Sequence, residues 1–178
     1  MHAAPTLRAI VTKLADKHAM NLDEPGAYLR LSLPWHGQLV IENIGANRIS
    51  IANYVQVHSD WLTDPEIVVF VDRRPSAEDQ AQIEQTWYPI EATEVFGGWR
   101  LYAELDSWGA LVLYDPAGQI ELADFAENVV ARHLIDHDWL DQAVRSTTPV
   151  PSWTPDDIRR RDIRIDEASL SPKEVWHE

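Results

Sequence analysis

The chain has 178 residues, enough for one domain and an appendage, and no Cys, which excludes a disulfide scaffold, a thiolate metal site and a Cys nucleophile. A hydrophobic content of 45% with eight Trp excludes global disorder. The net charge is −14, and residues 61–145 carry 17 Asp and Glu against 5 Lys and Arg, a net of −12; a field so concentrated repels nucleic acid and attracts basic partners.

The N-terminal residues Met1-His2-Ala3-Ala4-Pro5 open a helical pattern that includes charges, without the apolar core of a secretory signal. No stretch approaches the ~20 apolar residues of a membrane span. The expectation is a soluble, cytoplasmic protein with no membrane partner.

The first element is an amphipathic helix over residues 5–19. Pro5 suits a first turn, and Leu7, Ile10, Val11, Leu14 and Ala15 recur on one face. After the break at Asn21–Gly26, Tyr28–Leu33 alternates with Leu29, Leu31 and Leu33 together. Pro34-Trp35-His36-Gly37 is a turn, and Leu39–Ile44 is a second strand. Arg48–Val57 is the clearest strand, with Ile49, Ile51, Val55 and Val57 on one side. His58–Glu66 reads as a loop, Ile67–Val71 as a central strand, and residues 75–85 as a short polar helix capped by Ser76.

Trp87–Ile90, Trp99–Leu105 and Leu111–Tyr114 read as further strands, separated by Gly97-Gly98 and by Asp115-Pro116-Ala117-Gly118. A long helix over roughly 119–144 follows, its apolar face made by Leu122, Phe125, Ala126, Val129, Val130 and Val144. The expected fold is α+β: an antiparallel meander of about six or seven strands packed by an N-terminal and a long C-terminal helix. Residues 1–145 form the domain. Residues 146–178 form a Pro-rich linker and a charged arm with Arg159, Arg160, Arg161 and Arg164, able to dock on its own body or on a second copy in a homodimer.

Three constellations could carry chemistry. His133 and His137 are spaced i,i+4, as in H-E-x-x-H zinc proteases, but Leu134 stands where the general-base Glu belongs. The segment His58–Glu66 offers one imidazole and three carboxylates, with His58, Asp60 and Asp64 as metal or acid–base candidates. Each set has an ordinary structural reading too, as core-edge histidines and as turn formers. The third set interleaves Trp87, Tyr88, Trp99, Tyr102, Trp108 and Tyr114 with Glu91, Glu94, Glu104 and Asp106. Acidic neighbours argue against base stacking and for a protein interface. Gly-rich phosphate loops, a G-x-S-x-G elbow and kinase signatures are missing, so no cofactor is expected.

The segments Leu39-Val-Ile-Glu42, Arg48-Ile-Ser-Ile-Ala-Asn-Tyr54, Asp60, Asp64-Pro-Glu-Ile67 and Trp87-Tyr-Pro89 resemble a family of small uncharacterised bacterial proteins. Its members carry a phrase close to R-I-S-V-A-H-Y-Y-E-Q-N-G-D-L-M-R-D-P-E-M, followed by W-Y-P. The resemblance implies a compact α+β domain often found on plasmids, phages and integrated elements, and no established activity. Asn53 replaces the family's His before the Tyr, and His58-Ser59 replaces Asn-Gly.

These readings converge on a non-enzymatic acidic module that binds a host nucleic-acid-handling or defence complex with a basic surface, by DNA mimicry in its sharpest form and without direct nucleic-acid contact. Its expected interaction surface is Asp60, Asp64, Glu66, Glu91, Glu94, Trp99, Glu104, Asp106, Trp108 and Trp139. The alternative is a metal-dependent hydrolase using His58, Asp60 and Asp64, or His133 and His137.

Overall fold

The computed structural model describes residues 1–57, 60–76, 82–95 and 97–146. All of the linker and arm beyond Ser146, with the homodimer expectation built on them, lies outside the described residues.

The N-terminal helix α1 spans Pro5–Lys17 and buries Leu7, Ile10, Val11, Leu14 and Ala15, the face expected from their spacing. Burying each of the larger aliphatics contributes roughly 1.5–3 kcal/mol. Ala4 at the N-cap has no side-chain oxygen to offer the amides of the first turn. Glu127 supplies it instead: its carboxylate accepts from Thr6 N at 2.8 Å and from Leu7 N at 2.9 Å. A negative charge at a helix N-terminus also meets the favourable end of the helix dipole. Glu127→Ala is therefore expected to cost about 0.5–2 kcal/mol, like loss of a conventional cap. Urea denaturation followed by circular dichroism checks it, and unchanged stability would show that α1 does not depend on this contact.

Seven strands form one antiparallel sheet. They are β1 (Tyr28–Leu33), β2 (Gly37–Gly45), β3 (Arg48–Val57), β4 (Asp60–Pro75), β5 (Ile83–Glu94), β6 (Gly98–Leu101) and, late in the chain, β9 (Val144–Arg145). Their order is β6-β5-β4-β3-β2-β1-β9, so the meander runs in sequence and β9 returns to its edge. A separate hairpin is made by β7 (Ala103–Leu105) and β8 (Leu111–Leu113). The architecture is α+β.

The single strand expected over Trp99–Leu105 is two, β6 paired with β5 and β7 paired with β8, and three further local expectations are corrected. Residues 60–66 are not a loop, because β4 starts at Asp60 and pairs Trp61 with Gln56, Leu62 with Val55 and Thr63 with Tyr54. The register shifts between Ala52 and Tyr54, opposite Asp64 and Pro65; a proline has no amide to give the ladder, so a bulge is where it fits. Residues 83–85 are strand, paired with 73–75, and Ser76 Oγ donates to Glu84 Oε1 at 2.6 Å. The rest of the polar helix expected there, residues 77–81, lies outside the described residues.

The third correction concerns the long helix. It begins earlier, as α2 (Pro116–Phe125), because Asp115 accepts from Gly118 N at 2.9 Å as a side-chain cap. It continues through a π-helical turn at Ala126–Val130 into α3 (Ala131–Asp136). Asp138 then takes a left-handed conformation, φ 53°, which an α-helix cannot contain. A last turn, α4, covers Trp139–Gln142, and Val144 leaves the helix to pair with Ser32.

One sheet face packs under the helices. Leu29, Leu31, Leu39, Ile41, Ile49, Ile51, Ile67, Val69, Val71 and Trp87 share a core with α1, Ala131, Leu134 and Trp139. On the smaller second cluster, Val68, Ile90 and Ala103 are buried with Phe70, Tyr88, Leu111 and Leu113 against them.

Candidate functional site

The acidic and aromatic residues separate into three groups. Glu94, Trp99, Glu104 and Trp108 are exposed, on β5, β6 and the β7–β8 hairpin. Asp64 and Asp106 are half-buried: Asp64 Oδ1 accepts from Val95 N at 3.5 Å, and Asp106 Oδ1 accepts from Trp108 N and Ala110 N at 2.9 and 2.8 Å. The Asp106 carboxylate thus shapes the turn that holds Trp108 out in solvent. Glu104 accepts from the Tyr114 hydroxyl, and that bond holds the phenol above its ordinary pKa.

Glu66, Glu91 and Trp139 are buried and correct the surface expected from sequence. Glu66 accepts from Ser50 Oγ at 2.6 Å, and Glu91 accepts from Trp99 Nε1 at 2.7 Å. Such bonds are what allow a carboxylate to leave bulk water. Trp139 belongs to the main core. Asp60 pairs with Val57 at the start of β4. His58 lies outside the described residues, and with it the His58, Asp60 and Asp64 metal set.

The histidine pair fares differently. His133 sits in α3, and His137 caps its C-terminus one turn on, with His137 N donating to His133 O at 3.2 Å. A third imidazole joins them: His36, from the turn between β1 and β2. Ring centroids lie 4.0 Å apart for His36 and His137, 4.6 Å for His133 and His137, and 5.9 Å for His36 and His133. The turn is held by positive φ at Trp35 (68°) and Gly37 (82°), so His36 is presented by backbone geometry.

His133 Nε2 is buried with no hydrogen-bond partner among the described residues. Burial lowers the His133 pKa, and charge on His137 and His36 lowers it further. A neutral imidazole with an open lone pair is the form that ligates metal. Leu134 is buried in the core, so this cluster has no zinc-protease base beside its first helical His. Sequence reading named His133 and His137 and missed His36, because a turn histidine remote in sequence has no spacing signal that ties it to a helix.

A family model for a domain of unknown function, DUF6908, matches residues 6–109. No curated protein and no solved structure matches the chain. The matched span runs from α1 to the tip of the β7–β8 hairpin and includes His36, while His133 and His137 follow it. With more than half of its residues inside that span, the chain belongs to the DUF6908 family.

Proposed function

We propose that the protein is a non-enzymatic binding module that takes a partner with a basic surface on its acidic, aromatic β5–β8 region. The observation that carries this reading is Trp108, 89% exposed at the tip of the hairpin. Scattered exposed aliphatics are ordinary, but a large aromatic held in water by a shaped turn is a residue suited to an interface anchor. Trp99, Val112 and Tyr114 are exposed on the neighbouring strands and at the hairpin's end, and Glu94 and Glu104 add negative charge. Carboxylates steer a basic partner into contact and aromatics supply the buried area.

The partner class that fits is a nucleic-acid-handling protein, with the carboxylates standing in for a phosphate backbone. Resemblance to bacterial mobile-element proteins favours a host nucleic-acid-handling or defence complex as that partner.

Affinity capture from a bacterial lysate at low and high salt tests the proposal, using wild type and the triple variant Glu94→Gln, Glu104→Gln, Trp108→Ala. A specific protein is expected with wild type at low salt and lost at high salt. The variant should capture it on the order of ten- to a hundred-fold less well while keeping its melting temperature. Undiminished capture by the variant, or no partner at either salt, would overturn the reading.

A further inference from the structure

We propose that His36, His133 and His137 form a binding site for one divalent transition-metal ion of the zinc class. The inference stands apart from the acidic surface and does not depend on it.

Each histidine offers one ring nitrogen, and the three nitrogens lie within 4.8 Å of one another. Zinc–nitrogen bonds of about 2.0–2.1 Å place tetrahedral ligand nitrogens roughly 3.3 Å apart. Rotation of the rings about χ2, a soft torsion, spans the difference. The ligands come from two elements, the end of α3 and the β1–β2 turn. His133 and His137 share a helix face by their i,i+4 spacing, and the β1–β2 turn brings His36 against them.

The second observation is the orphaned atom. His133 Nε2 is shut away from solvent and has no hydrogen-bond partner among the described residues. Most buried polar atoms have a partner, and among the described residues seven side-chain atoms do not; of these, His133 Nε2 is the one that belongs to a cluster of three imidazoles. A metal ion held by this nitrogen would give it the partner that the described residues do not.

Donor chemistry selects the ion. Three imidazoles suit Zn²⁺, Co²⁺, Ni²⁺ or Cu²⁺, whereas Mg²⁺ and Ca²⁺ require oxygen ligands. Three protein ligands leave a fourth tetrahedral position for water or a small anion, the arrangement of open rather than closed zinc sites. A bound ion would also tie α3 to the β1–β2 turn, coupling metal occupancy to the helix–sheet contact.

The test is titration of the tag-free full chain with Zn²⁺ by calorimetry, and with Co²⁺ by visible absorption. One ion per chain is expected, with Co²⁺ giving the intense bands of a tetrahedral site. His36→Gln and His137→Gln should each weaken binding on the order of 100-fold or more, beyond the 10- to 100-fold typical of outer-shell partners. His2→Gln should bind like wild type. Absence of stoichiometric binding, or full affinity in His36→Gln, would overturn the proposal. Should a variant fail to fold, histidine-ring NMR of the wild type decides. Zinc is expected to shift three of the seven ring systems, those of His36, His133 and His137, and shifts confined to the other four would refute the site.

Discussion

Replacing Trp139 with Ala is expected to lower the unfolding free energy by about 3–5 kcal/mol, the usual cost of emptying a large aromatic site in a core. Trp139 is fully buried. The left-handed residue Asp138 ends the preceding helix and turns α4 back against α1. Lys17 Nζ secures the same junction by donating to Leu140 O at 2.5 Å. The indole N–H has no hydrogen-bond partner among the described residues, so the loss arises from packing and cavity formation. Against a typical total of about 5–15 kcal/mol, the variant would be marginal at 37 °C. Urea denaturation by circular dichroism measures the effect. A loss below about 1 kcal/mol, within the range of ordinary substitutions, would mean that α4 is not docked on the core.

Gly37→Ala is the second large effect. Gly37 has φ +82°, where a Cβ costs about 1–2 kcal/mol by itself. Here a Cβ would also lie 2.1 Å from the carbonyl oxygen of Tyr54, a backbone atom in the adjacent strand β3. No rotamer change relieves such a contact, so β2 and β3 must separate where Gln38 pairs with Tyr54. The expected cost is on the order of 3 kcal/mol or more. Gly45→Ala is the control: its φ is +81°, but nothing lies within 4 Å of the added carbon, so only the conformational cost of about 1–2 kcal/mol should appear. Equal losses in the two variants would show that the strand contact yields freely. Because Gly37 adjoins His36, Gly37→Ala should weaken zinc binding as well, and Gly45→Ala should not.

Much of the fold was legible because burial and local periodicity agree. The spacing of Leu7, Ile10, Val11, Leu14 and Ala15 marked both α1 and its buried face. Alternation of Leu29, Leu31 and Leu33 marked β1 and the side that meets the core. Turn residues around Gly45 and Asn47 separated β2 from β3. Pattern misled where tertiary pairing outweighed local preference. Asp60–Glu66 carries turn formers yet continues the ladder, because β3 offers it a partner strand. Val144 continues a helical hydrophobic face, yet an unpaired edge on β1 takes it as a strand.

By itself the sequence determined the α+β class, the order of most strands, the amphipathic first helix and the segregation of negative charge, since each depends on residues close together in the chain. Only the tertiary structure decided which acidic and aromatic residues face water. It buried Glu66, Glu91 and Trp139 and left Glu94, Glu104 and Trp108 outside. It also decided that His36 meets His133 and His137. Side-chain burial and the meeting of remote residues depend on how sheet and helices stack, and chain-local periodicity carries no record of that.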